Sequence, residues 1–333
     1  MRHTRIAVAA VALVALALTG CAGSPADGGD ASGDEELLGT VSDTLYGAVE
    51  VPQPADGELT VVALGWSDAE IALALGVKPV GVSDWLVFGE DAKGVGPWAQ
   101  DAFGDVEPEV FSNPFGGYDY EAIQKLEPDV ILNTRSAADE EQFTRLSSIA
   151  PTVYAPAGTA DFGTPWDVQI TQVAAALGLE DEGDALVSEV AESITDAAAA
   201  HPEFEGVTAV TGTKFGDSYG AYIAGDFRWD LLESLGFVQN PAVLELEPSG
   251  FYVALSAEQL GALDAEVAVF FPIGYTLEEM TADPLVGSLA VVQEDRTVWL
   301  AGDELTQGFS AASPLSIPFV VDGLAERLAA ILG

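Results

Sequence analysis

Short β-branched runs that alternate with helical stretches constrain this chain more than any other feature. Leu59-Thr60-Val61-Val62-Ala63-Leu64 ends at Gly65, a helical stretch follows over Ser67–Leu75, and Val77-Lys78-Pro79-Val80-Gly81-Val82 comes next. Strand, helix and strand within about twenty-five residues form a parallel βαβ unit. Ser67 stands as the N-cap, with Glu70 as the matching residue of a capping box, and Gly76 closes the helix. The pattern recurs as helix over Tyr120–Leu126, strand over Pro128–Leu132, helix over Glu140–Ser148, strand over Thr152–Tyr154 and helix over Trp166–Leu177.

Asp181–Ala200 breaks this rhythm. Leu186, Val190, Ile194 and Ala197 recur at helical spacing over about five turns, and His201-Pro202 ends the run. Alternation then restarts with strands at Val207–Thr211, Val267–Phe271 and Thr297–Leu300. Helices are expected at Trp229–Leu235, at Glu258–Leu263 and from Ile317 to Leu332. The body therefore reads as two α/β lobes joined by one long helix.

Charge and composition exclude several functions. The 333 residues carry 54 Asp and Glu against 11 Lys and Arg, a formal net charge of −43. A nucleic-acid binder needs the opposite balance to displace counterions from phosphates. At 49% hydrophobic residues the chain is not disordered by composition. One cysteine, Cys21, forbids an intrachain disulfide. With only His3 and His201, a histidine-rich metal site is not expected. No Walker-type phosphate loop occurs, so no ATPase activity of that kind is expected from this chain.

The N-terminus reads as an address. Arg2, His3 and Arg5 precede the apolar run Ile6–Leu18, whose 13 residues are too short for a membrane span and suit a signal peptide. Leu18-Thr19-Gly20-Cys21 resembles a bacterial lipobox, which implies cleavage before Cys21 and its lipidation. Cleavage would remove two arginines and no acid, leaving nine basic and 54 acidic side chains. The organisation expected is a lipoprotein signal peptide over 1–20, an acidic Gly/Ser-rich tether over 21–57 and an N-terminal lobe over 58–180. A bridging helix over 181–201 and a C-terminal lobe over 202–333 complete it.

Four stretches stand in order along the chain: Ala74-Leu75-Gly76-Val77-Lys78-Pro79-Val80-Gly81-Val82, Tyr120-Glu121-Ala122-Ile123-Gln124-Lys125-Leu126-Glu127-Pro128-Asp129-Val130-Ile131-Leu132, Leu146-Ser147-Ser148-Ile149-Ala150-Pro151-Thr152-Val153 and Leu255–Val267. Together they resemble segments of the ferric-siderophore and cobalamin class of ABC-transporter substrate-binding proteins. The resemblance spans roughly residues 59–333 and implies two Rossmann-like lobes joined by one long backbone helix, with the ligand in the cleft between them. It implies a monomeric binding protein, lipid-anchored to the outer face of the cytoplasmic membrane. Such a protein has no catalytic role and no cofactor of its own, because the siderophore holds the iron. It would deliver a ferric siderophore to a permease dimer driven by a cytoplasmic ATPase. Glu121 and Glu258 fall where the family docks on the permease.

In this architecture ligand residues lie on loops at the carboxyl ends of strands. Trp85, Tyr118, Arg135, Lys214, Tyr219, Tyr252 and Phe309 are the candidates, with Phe115, Tyr222 and Phe251 nearby in sequence. Aromatic walls with a few cations suit a bulky, partly apolar chelate. Hydroxamate receptors of the family carry an arginine just before the helix that Glu121 opens, and Phe115-Gly116-Gly117-Tyr118 has none. That leaves the ligand open between a hydroxamate siderophore, which the acidic body favours over a trianionic catecholate, and cobalamin or haem. A different class is a surface hydrolase, since Gly216-Asp217-Ser218-Tyr219-Gly220 fits a nucleophile elbow around Ser218. Its histidine base would have to be His201, which precedes the serine.

Overall fold

The computed structural model describes residues 36–112, 117–216, 218–302 and 304–333. The signal segment, Cys21, Phe115 and Gly116 lie outside the described residues.

The described chain opens with an antiparallel hairpin, β1 (Leu37–Val41) and β2 (Val49–Pro52). These residues fall inside the expected tether, so ordered structure begins well before residue 58. The cause is apolar burial: Val41 and Val51 join Ile170 and Val173 of the helix Trp166–Leu177 in one core. A lone hairpin is marginal in water, and this one is stabilised by lying on that helix. It lies so close that a Cβ at Gly39 would sit 2.1 Å from the Ala175 carbonyl oxygen.

The first lobe contains β3 (Val61–Ala63), α1 (Asp68–Ala74), β4 (Gly81–Ser83), β5 (Glu109–Phe111), α2 (Tyr120–Lys125) and β6 (Val130–Asn133). It continues through α3 (Glu140–Ser147), β7 (Thr152–Tyr154) and α4 (Trp166–Leu177). Its sheet is parallel throughout, in the order β5-β4-β3-β6-β7. Val61, Leu132 and Val153 face α1 and α4, whereas Val62, Ile131 and Tyr154 face Ile123 and Leu146 of α2 and α3. Burial on both faces explains why these strands read as continuous apolar runs.

Helix α5 (Glu180–Ala200) runs for 21 residues. Leu186 and Val187 pack on the first lobe's core, while Val190 and Ile194 belong to the second lobe's core. One helix thus changes allegiance along its length.

The second lobe runs through β8 (Thr208–Phe215), β9 (Ser218–Tyr222), α6 (Phe227–Ser234), β10 (Val238–Gln239), α7 (Pro241–Leu244) and β11 (Tyr252–Leu255). Then come β12 (Val267–Ile273), α8 (Leu277–Thr281), α9 (Ala290–Gln293), β13 (Thr297–Trp299), α10 (Glu304–Ala311) and α11 (Ile317–Leu332). The sheet order is β11-β9-β8-β12-β13, with β10 beside the start of β8. Strand β9 runs against its neighbours.

Two local expectations are corrected. Ser67 adopts φ 67° and makes no side-chain cap, so the capping box with Glu70 does not form. Both side chains instead reach the second lobe. The helix expected at Glu258–Leu263 is a 3-10 helix over Ala257–Leu263, opened by a capping box between Ser256 and Gln259.

Candidate functional site

In the first sheet the strand order reverses between β3 and β6, which makes a crevice outside their carboxyl ends. Trp66 follows β3 and Arg135 follows β6, and the Trp66 N–H donates to the Arg135 carbonyl at 2.9 Å. The backbones meet closely because position 65 is glycine: a Cβ there would lie 2.2 Å from Asp68 Oδ2 and 2.9 Å from the Thr134 nitrogen. Asp68 fixes the crevice floor, accepting from the Thr134 N–H at 2.8 Å, the Thr134 hydroxyl and Gln169 Nε2. Burial pushes the Asp68 carboxyl up to about 6 despite these donors.

Trp85, at the end of β4, stacks on Trp66 at 4.3 Å and 9°, and Phe162 stacks on Trp66 at 4.3 Å. The Arg135 guanidinium lies 5.6 Å from the Trp66 ring and 5.9 Å from Trp85. It donates from Nε to the Phe162 carbonyl and from Nη1 to the Ala311 carbonyl, at 3.0 and 3.1 Å. Burial lowers its pKa to about 10.

The second lobe presents a matching group. Arg228, in the first turn of α6, lies 3.8 Å from the Tyr222 ring and 5.7 Å from Phe251. Tyr222 also stacks on Phe251 and Phe271. Tyr252 adjoins this cluster, its ring 5.7 Å from Phe251 and 6.0 Å from Phe215. Asp226 grips Arg228 through both carboxylate oxygens, and Tyr222 accepts from Arg228 Nη1 at 3.0 Å. Burial lowers the Arg228 pKa, but the Asp226 carboxylate and Tyr222 outweigh it and the net shift is upward. At the lobe boundary a cavity of about 10 Å³ is lined by Arg135, Phe162 and Gln169 on one side and Asp226, Phe227 and Asp230 on the other. That is about the room of one water.

The structure brings Trp85 and Arg135 together in the first lobe and places Tyr252 in the second, against Phe251 and Phe215. Four other candidates lie elsewhere. Phe309 is 1% exposed and packs edge-on against Phe227 and Phe271, so it belongs to the core. Tyr118 packs on the core of α2 and α3 and donates to Asn133 Oδ1 at 3.0 Å. Lys214 and Tyr219 pair across β8 and β9 and project to the sheet face opposite Tyr222, because side chains alternate along a strand. Both donate to Asp283. Burial disfavours the Asp283 carboxylate, yet these bonds and the Leu285 N–H outweigh it and bring it to about 2.

Sequence reading missed Trp66, Phe162, Asp226 and Arg228. Trp66 was legible in principle, as the first aromatic after the first strand. Asp226 stands as the N-cap of α6, accepting from the Arg228 N–H, and nothing in that local role signals an ion pair. Ser218 begins β9 on the far side of a hairpin turn, so the strand–turn–helix of a nucleophile elbow is not formed. His201 instead stacks on Phe204 and bonds Glu203. Glu121 and Glu258 are both exposed, each in the first turn of its helix. Among the described residues, no group of His, Cys, Asp or Glu is placed to hold a metal ion, and no helix is long and apolar enough to cross a membrane.

Two α/β lobes, a single bridging helix and an aromatic, arginine-bearing cleft between them define a two-lobed ligand-binding protein. The sequence profile of the periplasmic binding protein family matches residues 61–302, and the chain belongs to that family. Membership implies an extracytoplasmic location. A periplasmic solute binding protein from Mycobacterium smegmatis is 30% identical, with a TM-score of 0.76 over 90% of this chain and 100% of that one. PiaA from Streptococcus pneumoniae, solved with ferrichrome, is 26% identical, with a TM-score of 0.74 over 87% and 97% of the two chains. Staphylococcus aureus SirA, solved with staphyloferrin B, shares the fold at 21% identity and a TM-score of 0.69 over 87% and 98%. No curated protein sequence matches the chain significantly.

Proposed function

We propose that this protein is the ligand-capturing subunit of an ABC importer and that its ligand is a ferric siderophore of the hydroxamate type. The observation that carries the reading is the pairing of the Trp85–Trp66–Phe162 stack and Arg135 with Arg228, Tyr222 and Phe251 on the facing lobe. Rings supply apolar walls for a rounded chelate, and guanidinium N–H groups can meet its iron-bound oxygens. The ferrichrome complex of PiaA, at 26% identity, supports the same ligand chemistry. The siderophore carries the iron, so no metal ligand is needed from the chain.

The protein works as a monomer held to the outer face of the membrane by lipid on Cys21. Exposed Glu121 and Glu258, one on each lobe, meet basic residues of a permease dimer whose ATPase lies in the cytoplasm. The test is a titration of purified protein with ferrioxamine B, ferric enterobactin, cobalamin and haemin, following tryptophan fluorescence. Saturable quenching by the ferric hydroxamate is expected. Saturation by cobalamin or haemin alone would overturn the reading.

A further inference from the structure

The two cleft arginines are not equivalent. Arg135 is 4% exposed, and its bonds in the cleft go to neutral carbonyls, those of Phe162 and Ala311. Arg228 is 7% exposed and is held by a carboxylate, with Nε on Asp226 Oδ1 at 2.7 Å and Nη2 on Oδ2 at 2.6 Å. A bidentate guanidinium–carboxylate pair is rigid and strong, and it consumes the edge of the arginine that would otherwise clasp an anion. Tyr222 takes a further donor through Nη1. Asp226 is itself only 3% exposed, so little water screens its charge. Its field reaches Arg135 as well, as does that of Arg228 with the opposite sign. Asp230 lines the same cavity and accepts from the Gly225 N–H at 2.9 Å, adding a second carboxyl beside the pair.

Resting on the siderophore reading above, we propose that Asp226 is the residue that sets the charge selectivity of the cleft. By converting Arg228 into an internal ion pair it leaves Arg135, whose hydrogen bonds go to the Phe162 and Ala311 carbonyls, as the guanidinium with no carboxylate of the described residues bonded to it. A chelate that is neutral or carries a single positive charge loses little on entering such a cleft. A trianionic chelate must be desolvated without enough cations to receive it, and it meets the Asp226 carboxylate as a like charge. Selectivity in this chain is thus local and separable from the acidity of its surface.

Asp226→Asn tests this cleanly. Asparagine caps a helix as well as aspartate does and can still accept from the Arg228 N–H, so α6 is expected to form normally. Asp226→Ser, another good cap, serves as the second variant. Dissociation constants for ferrioxamine B, which is cationic, and ferric enterobactin, which is trianionic, are measured for wild type and both variants. Asparagine is nearly isosteric with aspartate, so in Asp226→Asn a change in the ratio of the two constants reads charge rather than ligand size. In both variants the ratio is expected to move toward the trianion by about tenfold or more. An unchanged ratio, with ferrioxamine B still bound by wild type, would overturn the role of Asp226 and leave the siderophore reading intact. Failure of wild type to bind either chelate would overturn both.

Discussion

The Ser67 hydroxyl donates to the Ala311 carbonyl at 2.6 Å, joining the two lobes across 244 positions of chain. The same carbonyl receives Nη1 of Arg135. One turn along α1, Glu70 accepts from the Gly96 N–H, Trp98 Nε1 and the Ser313 hydroxyl. Three side chains beside the cleft of the first lobe therefore converge on the end of α10 and the short connection to α11 in the second. Ala312, the first residue of that connection, has a φ of 53°, a conformation that an alanine rarely adopts.

Removing these contacts should loosen the closed pair of lobes. Ser67→Ala is expected to cost about 1 kcal/mol. Glu70→Gln puts an amide donor among three donors and should cost about 1–3 kcal/mol. Urea unfolding at neutral pH measures both, and a midpoint unchanged from wild type in Glu70→Gln would show that the lobes are held together by other contacts.

Stability should rise on mild acidification. Burial pushes Asp68 and Asp230 up to about 6, well above the 3.8 of an exposed aspartate. The folded protein therefore holds these protons more tightly than the unfolded chain. Each group's contribution is fully favourable below pH 3.8 and declines as pH rises toward 6. Melting temperature in concentrated salt, which screens the net charge, should be higher at pH 5 than at pH 7.5. Asp230→Asn should flatten that difference, and an undiminished rise in the variant would exclude Asp230 as a source.

Asp283 acts in the opposite sense. Its carboxyl lies near 2, so its bonds to Lys214 and Tyr219 stabilise the fold above pH 3.8 and are lost as pH falls toward 2. Asp283→Asn should cost about 2 kcal/mol at pH 6 and almost nothing near pH 2. Chemical denaturation at the two pH values reads the difference, and an equal cost at both would contradict the charged pairing.

Docking is testable without touching the cleft. Glu121 and Glu258 are exposed and remote in sequence from the two arginines and the aromatic stack. Glu121→Ala combined with Glu258→Ala should leave ligand affinity unchanged while whole-cell uptake collapses. Normal uptake at normal surface levels would assign docking to other residues.

Much of the architecture was legible because parallel, doubly buried strands and amphipathic helices leave periodic signals. The edges of that account failed for local reasons. The β1–β2 hairpin is short and acidic around two buried valines, Val41 and Val51, so its composition resembles a tether. Strand β9 gave no strand signal, since Gly216 precedes it and Gly220 falls within it. Arg135 and Trp85 stand where the strand-end rule puts them, just after β6 and β4 of the parallel sheet. Arg228 could not be found by that rule, because it enters the cleft from a helix, and its partner Asp226 looks like an ordinary cap. Lys214 and Tyr219 followed the same strand-end rule, and the alternation of side chains puts them on the sheet face opposite Tyr222.

The central claim is that one ligand is held between the two walls, and equilibrium dialysis with ferrioxamine B tests it most directly. Wild type should bind a single chelate, and Trp85→Ala on one lobe and Tyr252→Ala on the other should each weaken binding by about tenfold, the loss expected for an aromatic contact. Wild-type affinity in both variants, or no uptake of the chelate by wild type, would contradict the account.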